Sequence, residues 1–306
     1  MAIPSNVLEI RYSYIYNRFV SDDIKIASLS DVHISDAIKT NDIDFMIDSI
    51  KKEKPNYICT LGDIVDYPNI LDKEINRLKC ERLFMGLSKI APVYVVMGNH
   101  DYIDYDTGNK HDENYKEEFW NKINNIKNIN IVNDKKIVLK DLIIGGYLEK
   151  RKSYHDKGKE FFYEDFTNSN MIVNNNTKPK ILLMHSPEPL DYNKNIDLVS
   201  CYDVILCGHY HNGCVPSILN KIWLPKNGGV ITPSKRLFPK NVRGIRILKG
   251  DTYLIYNGGW TKIPDNTPDI FHVLDKMCNR QIDITILTNK YKKLEVKTKK
   301  IKKNWY

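Results

Sequence analysis

The sequence lacks the long apolar run that a transmembrane helix needs, since none of its hydrophobic stretches reaches about 18 residues. Its first segment, Met1–Arg18, has no basic region followed by an apolar block, so we expect no secretory signal. It also contains no CxxC pair and no internal repeat. Two of its six cysteines, Cys59 and Cys207, lie inside apolar runs and are expected in the core. These absences favour a reduced, cytoplasmic protein without disulfides or metal-thiolate sites.

Positive charge is concentrated at one end of the chain. The net charge is +8, but the segment from Lys290 to Tyr306 holds eight lysines against one glutamate and contributes +7, which leaves +1 for the rest. We therefore predict a single domain over residues 1–289, followed by a lysine-rich tail over residues 290–306.

The tail is the part of the sequence that suggests a partner other than substrate. A solvated segment is the simplest interpretation. However, the tail ends in Trp305-Tyr306, and lysines beside terminal aromatic residues suit an anionic membrane surface. Peripheral membrane contact is therefore an alternative, whereas nucleic acid is the less favoured partner. No obligate protein partner is indicated.

Apolar runs alternate with helical patterns along the first hundred residues. The sequence predicts strands over 23–30, 56–61 and 92–97, and helices over 42–52 and 72–90. This βαβαβ order is typical of a parallel-rich sheet with helices on its faces. Further strands are predicted over 136–145, 180–184, 202–207 and 281–287, with a hairpin formed by 242–248 and 252–256.

Two finer expectations concern which side chains are buried. The helix over 72–90 should place Ile75, Leu78, Leu83 and Leu87 on its core side. The alternation of isoleucines in 281–287 predicts a strand with one buried and one solvent-exposed face.

Five predicted strands end in residue types that bind metals. These ends are Asp31-Val32-His33, Gly62-Asp63, Gly98-Asn99-His100-Asp101, His185 and Gly208-His209-Tyr210-His211. In open α/β sheets, ligands bind beyond the carboxyl ends of the strands, so these side chains should meet. Each motif alone means little, but together they contain five of the eight histidines of the chain. Residues i and i+2 of extended chain point the same way, so Asp31 should face one ion with His33, and His209 with His211.

The candidate ligands are four imidazoles, two carboxylates and one amide, with no thiolate. This mixture of nitrogen and oxygen suits Mn²⁺, Fe or Zn²⁺. It is too large a set for one tetrahedral ion but is enough for two ions that share a carboxylate, about 3.5–4 Å apart. The predicted metal ligands are Asp31, His33, Asp63, Asn99, His185, His209 and His211.

The order of these motifs resembles that of the calcineurin-like metallophosphoesterases. The surrounding text, such as KIASLSDVHIS, TLGDIVDY, PVYVVMGNHDY and CGHYHNG, is similar to the bacterial YkuE/YaeI-like branch of that family. The resemblance covers roughly residues 7 to 288. It implies a four-layer αββα sandwich, in which two mixed sheets are flanked by helices. One departure is Asn212-Gly213-Cys214, where branch members usually continue with Gly-Gly-Gln.

The resemblance also implies a role for each motif residue. One ion would be held by Asp31, His33, Asp63 and His211. The other would be held by Asp63, Asn99, His185 and His209, so that Asp63 bridges. His100 would meet the leaving oxygen, and Asp101 would orient His100.

The expected activity is hydrolysis of a small phosphate ester, either a diester or a monoester. Two divalent transition metal ions would hold a bridging hydroxide that attacks phosphorus, while His100 assists the leaving group. Two alternatives remain: a non-catalytic metal-binding scaffold of the same fold, and a nuclease.

Overall fold

The computed structural model describes residues 7–104, 112–113, 115–154, 158–174, 177–217, 219, 227–232, 237–261 and 277–302. Its strands are β1 (Val7–Tyr16), β2 (Ile24–Leu29), β3 (Tyr57–Leu61), β4 (Val93–Val96), β5 (Ile103–Asp104), β6 (Asp112–Glu113), β7 (Ile129–Ile131), β8 (Lys135–Val138), β9 (Ile143–Tyr147), β10 (Lys180–Met184), β11 (Val204–Cys207), β12 (Gly244–Ile247), β13 (Tyr253–Tyr256), β14 (Arg280–Thr288) and β15 (Glu295–Lys302). Its α-helices are α1 (Thr40–Glu53), α2 (Glu74–Ser88), α3 (Asn99–Tyr102), α4 (Glu117–Asn124), α5 (Gly158–Asn168) and α6 (Asn193–Val199).

Two mixed sheets stack face to face. The first has seven strands in the order β15-β1-β14-β2-β3-β4-β7, and the second has six in the order β12-β13-β11-β10-β9-β8. Parallel pairing runs through β2, β3, β4 and β7 in the first sheet, and through β9, β10, β11 and β13 in the second. Parallel strands carry their carboxyl ends to one edge, which is where the polar motifs lie.

Three apolar layers hold this sandwich together. Ile26 and Leu61 of the first sheet meet Ile181 and Leu206 of the second in the layer between the sheets. The outer face of the first sheet packs against α1, α2 and α4, and that of the second against α5 and α6. The result is the four-layer αββα arrangement implied by the resemblance. Among the helices of the described ranges, none has the length and apolar character needed to cross a membrane.

The structure confirms most predicted elements but corrects several details. The predicted single strand 136–145 is two antiparallel strands, β8 and β9, because the polar pair Lys140-Asp141 turns the chain between them. The predicted core side of α2 is wrong in part. Ile75 and Leu78 are 54% and 51% exposed, while Leu83 and Leu87 are buried. The reason is that the buried stripe of the helix begins at Asn76 and Cys80, which leaves Ile75 and Leu78 on the solvent side.

Strand β14 differs from its prediction for a topological reason. Eight of its nine residues are buried, not one face alone, because it lies between β1 and β2 inside the first sheet. Its polar residues Gln281 and Asp283 therefore lie in the protein interior. The strand β1 beside it was not predicted, since Glu9 and Arg11 interrupt its apolar pattern.

The lysine-rich segment contributes to the same sheet. Residues Glu295–Lys302 form the edge strand β15, which pairs antiparallel with β1. Most of its side chains are exposed, as suits an edge strand that must not pair further. The terminal pair Trp305-Tyr306 lies outside the described residues, and membrane contact of this segment stays a prediction.

Candidate metal centre

The predicted ligands lie in loops that directly follow the central strands of both sheets. Asp31 and His33 follow β2, Asp63 follows β3, and Asn99 begins the short helix α3 after β4; His185 follows β10, and His209 and His211 follow β11. All seven are at most 8% exposed. The position of the motifs at the carboxyl ends of strands therefore predicted where this cluster lies.

Among the described residues, three groups of acidic and imidazole side chains have ligand atoms within 4.8 Å of one another, and two of these groups consist only of predicted ligands. We call Asp31, His33 and His211 the first group, and Asp63, His185 and His209 the second group. In the first, Nε2 of His211 lies 3.4 Å from Oδ1 of Asp31. In the second, Nε2 of His185 lies 3.0 Å from Oδ2 of Asp63 and 3.2 Å from Nδ1 of His209.

Asp63 connects the two groups. Its Oδ2 is 3.8 Å from Nε2 of His33 as well as 3.0 Å from Nε2 of His185. Its other oxygen accepts a hydrogen bond from the backbone N–H of His100 at 2.9 Å. Asn99, the residue before His100, is buried at the start of α3. A carboxylate between two ligand groups is the arrangement that a shared, bridging ligand requires.

The two histidines after β11 do not point to the same side, contrary to the prediction from extended chain. His209 and His211 belong to different groups, although extended chain would have pointed both to one side. The reason is the backbone: Asp31, His33, Asp63, His209 and His211 all have positive φ, between 48° and 67°. The left-handed region is costly for residues other than glycine, and such residues cluster at functional sites. These loops turn sharply, so strand alternation no longer applies.

Close backbone packing explains two of the glycines. Gly62 has φ +81°, and a Cβ placed on it would lie 2.5 Å from the backbone N of Gly98. A Cβ on Gly98 would in turn overlap the carboxylate of Asp63. The loops after β3 and β4 thus touch through their backbones, which only glycine allows.

Three histidines are oriented by hydrogen bonds on their Nδ1 side. Nδ1 of His185 lies 2.7 Å from the carbonyl oxygen of Leu61, and Nδ1 of His211 lies 2.6 Å from that of Thr261. Nδ1 of His33 lies 3.0 Å from the carboxylate of Asp66. Such contacts fix the ring and direct Nε2 toward a metal.

Buried charges set the protonation of the site. Burial would lower the pKa of His185, but the carboxylate of Asp63 raises it to about 10. Burial also opposes the charging of His33, yet its hydrogen bond to Asp66 helps raise the pKa to about 9. Burial and the neighbouring His185 hold the pKa of His209 well below its usual range. Imidazolium groups thus neutralise buried carboxylates here, a task that divalent cations would perform as well.

Two supporting residues were missed by sequence reasoning. Asp66 binds His33 through its side chain, and its backbone oxygen lies 2.5 Å from Nδ1 of His100. Glu149 is fully buried, and its carboxylate accepts the backbone N–H groups of His185 and Ser186. The sequence position of each residue could have indicated its role. Asp66 follows Asp63 by three residues, and Glu149 stands two residues beyond the end of β9, a strand whose end was predicted too early.

The expected role of Asp101 needs correction. Its carboxylate accepts hydrogen bonds from the backbone N–H groups of Ile64 at 2.8 Å, Val65 at 3.0 Å and Gly98 at 2.9 Å. The ring of His100 is held instead by Asp66. Asp101 therefore ties the loop after β3 to the loop after β4. Burial, and then the charge of Asp63, raise the pKa of Asp101 to about 7.

The donor set fits divalent transition metals. Nitrogen and oxygen donors without thiolate suit Mn²⁺, Fe or Zn²⁺. In addition, Nε2 of His33 is buried and has no hydrogen-bond partner among the described residues. A buried imidazole nitrogen without a partner is costly, and a metal ion would satisfy it.

Two curated proteins are similar in sequence to this chain. The chain is 23% identical over 206 residues to an uncharacterized metallophosphoesterase of Helicobacter pylori. The aligned region covers 67% of this chain and 49% of that protein. It is 24% identical over 249 residues to uncharacterized metallophosphoesterase Cj0846 of Campylobacter jejuni, covering 74% and 60%. The chain thus spans about half to three-fifths of these curated relatives.

Two solved structures are also similar. A dimetal phosphatase from Danio rerio has a TM-score of 0.43 at 10% identity, covering 77% of this chain and 87% of that one. Purple acid phosphatase PPD1 from yellow lupin (Lupinus luteus) has a TM-score of 0.40 at 14% identity, covering 63% and 38%. Both similarities are too distant to inform the function of this chain.

The sequence profile of one family matches more than half of the chain. Residues 24–213 match the calcineurin-like phosphoesterase profile, and that range contains every candidate ligand. The chain therefore belongs to the calcineurin-like phosphoesterase family.

Proposed function

We propose that this chain hydrolyses phosphate esters with two divalent transition metal ions, one in each ligand group. The observation that supports this most is the position of Asp63, whose carboxylate lies 3.0 Å from His185 of the second group and 3.8 Å from His33 of the first. When bound, a pair of such ions polarises a phosphate group and lowers the pKa of an attacking water.

The protein supplies a preorganised cage for this chemistry. The first group would hold one ion and the second group the other, with Asp63 shared and Asn99 completing the second set. The hydrogen bonds from His185 to Leu61 and from His211 to Thr261 hold the rings in place before any ion arrives. Preorganised ligands need no rearrangement during the reaction, which favours catalysis.

His100 is the residue to which we assign the leaving oxygen. It is less buried than the ligands, and its ring packs edge-on to His33 at 4.8 Å. Because Nδ1 of His100 faces the carbonyl oxygen of Asp66 and must donate to it, Nε2 is the atom that faces the departing oxygen, and it would donate from the imidazolium form of the ring. A positioned general acid of this kind is typically worth about 10²–10⁴-fold in rate.

The proposal is tested by stripping the protein of metal and reconstituting it with Mn²⁺, Fe²⁺ or Zn²⁺. Bis-p-nitrophenyl phosphate, p-nitrophenyl phosphate, nucleotides and nucleotide-sugars are the substrates to screen. We expect hydrolysis that depends on bound metal and disappears on chelation. Two bound ions with no hydrolysis of any ester would favour the scaffold alternative, and preferential degradation of DNA would favour the nuclease.

Leaving-group dependence tests His100 directly. His100→Asn should lower kcat by roughly 10²–10⁴-fold on an alkyl phosphodiester, because the departing alkoxide needs a proton. The loss should be much smaller on a p-nitrophenyl ester, whose phenolate departs with little help. Metal content should stay the same, and it serves as the control. An equal loss on both substrates would show that His100 acts on the phosphoryl oxygens instead.

A further inference from the structure

A chain of polar contacts runs from the partly buried loop of His211 into the interior of the first sheet. Asn212, the residue after His211, donates from Nδ2 to Oε1 of Gln281. Gln281 donates from Nε2 to both oxygens of Asp283, at 2.9 and 3.0 Å. Asp283 accepts a hydrogen bond from Nε of Arg11 at 2.6 Å. We call these four residues the β14 polar chain.

Most of this chain lies outside the part of the sequence that defines the family. The family profile covers residues 24–213, which includes Asn212. Arg11 is on β1, and Gln281 and Asp283 are on β14, all beyond those limits. All three are at most 7% exposed. Buried polar residues at such positions need a reason, because burial of polar groups is costly unless they are satisfied.

Gln281 contacts both loops that hold His211. Its side chain meets Asn212, and its backbone N–H donates to the carbonyl oxygen of Gly259 at 3.1 Å. Two residues beyond Gly259, the carbonyl oxygen of Thr261 accepts from Nδ1 of His211 at 2.6 Å. Packing is close here, since a Cβ on Gly258 would lie 2.5 Å from Oε1 of Gln281.

The backbone at this point is one that its surroundings must hold. His211 has φ 48° and Asn212 has φ 55°, two successive residues in the left-handed region. Asparagine tolerates this region better than most residues, but the conformation persists only where neighbouring groups fix it. The amide of Gln281 does this by accepting from Asn212 while it donates to Asp283.

The geometry points to Gln281 as a positioning residue for the first ligand group, acting through Asn212 on the orientation of His211. This inference rests on the two-metal site proposed above. Within the described residues, the second group has different supports, since His185 contacts Leu61 and Glu149. Gln281 therefore sets the affinity of one metal position and leaves the other unchanged.

Three substitutions separate this role from a general effect on folding. Gln281→Met keeps the length of the side chain but removes both amide contacts. Asn212→Gly removes the side chain at a position where glycine adopts the required φ without strain. Thr285→Val is the matched control: Thr285 lies on the same strand and is fully buried, and its hydroxyl has no hydrogen-bond partner among the described residues.

The experiment measures metal content at controlled free Mn²⁺ or Zn²⁺, by equilibrium dialysis and elemental analysis of the metal-stripped full-length protein. For Gln281→Met and for Asn212→Gly, we expect one of the two ions to bind about 10–100-fold more weakly, the range typical of lost supporting contacts. The other ion should bind as in the wild type, and Thr285→Val should bind both normally. The double variant should lose little more than either single variant, because both remove one interaction.

The same substitution in a protein that already carries His211→Ala shows which of the two metal positions is affected. In His211→Ala, which already lacks a ligand of the first group, Gln281→Met should not weaken the remaining ion further. Equal weakening of both ions, or two normal affinities in both variants, would overturn the inference while the two-metal site stands. A wild-type protein that binds fewer than two ions would instead refute the proposed function itself. If Gln281→Met does not fold, Asn212→Gly alone decides.

Discussion

The two ligand groups are supported from different parts of the protein. The second group is supported by segments within the family profile: His185 contacts Leu61 and the buried carboxylate of Glu149. In the first group, His33 is held by Asp66 within the profile, whereas His211 contacts Thr261 and its neighbour Asn212 contacts Gln281. Thr261 and Gln281 both lie beyond residue 213, so His211 depends on a later stretch of chain than the other ligands with described supports.

This difference shows how a family site can be adjusted without changing its ligands. The second group is complete once the loops after β3, β10 and β11 are in place. The first group also needs the segment after β13 and the strand β14, which pairs with β1 and β2. Changes in those late strands should act on one metal position before the other.

The largest expected effect belongs to the residue that the two groups share. Asp63→Asn should weaken both ions and reduce hydrolysis by more than about 100-fold, because loss of a ligand should exceed the loss of a supporting contact. Metal analysis and kcat on bis-p-nitrophenyl phosphate are the measurements. Asp44→Asn, in an exposed pair with Arg82, is the control. Full metal content in Asp63→Asn would show that the carboxylate does not bridge.

Single-ligand variants should separate the groups. His33→Ala should reduce metal content from about two ions to about one, and so should His185→Ala, each by removing an imidazole donor from one group. The ion that remains should differ in affinity between the two variants, as dialysis against a series of free metal concentrations would show. Loss of both ions from each variant would mean that the two groups form one cooperative site.

Substitution of a residue that supports the second group, and is not itself a ligand, should have a smaller effect on metal binding. Glu149→Gln exchanges a carboxylate that accepts two backbone N–H groups for an amide that cannot accept both equally well. We expect the second ion to bind roughly 10-fold more weakly and the first to be unchanged. This is the mirror image of the Gln281→Met result. Weaker binding of the first ion in Glu149→Gln would show that the two groups are not supported independently.

The smallest expected effect is the release of protons from the two ligand groups when metal binds. His33 and His185 have pKa values of about 9 and about 10 in the metal-free protein, so both carry protons at neutral pH. Metal binding requires their neutral forms, so each group should release about one proton and affinity should rise with pH up to about 10. Calorimetry in buffers of different ionisation enthalpy counts these protons. Binding without proton release near pH 7 would contradict the assignment.

The same two histidines affect the stability of the metal-free protein in a defined direction. Their folded-state pKa values lie above the ordinary value of 6.5, so they stabilise the fold fully below about pH 6.5. That contribution should be lost as the pH rises through about 9 and 10. Denaturant unfolding of metal-stripped protein across this range would detect the decrease.

Much of the fold could be predicted because its central strands are continuous apolar runs. The strand β10 begins and ends as predicted, and β2, β3 and β4 differ from prediction by at most one residue at either end. The strand β1 could not be recognised in this way. Its Arg11 is buried only because Asp283, more than 270 positions later, pairs with it.

The sequence by itself determined which residue types stand at the ends of five strands, in what order, and that they meet at one edge of the sandwich. Local apolar patterns and the parallel order of the strands suffice for that. Local patterns alone did not decide which histidine joins which carboxylate, a pairing that the resemblance implied and that the tertiary structure produces. His209 and His211 separate because their loop adopts positive φ, and Asp66, Glu149 and Gln281 acquire their contacts only when distant segments pack. Such contacts depend on distances between segments, which no local pattern encodes.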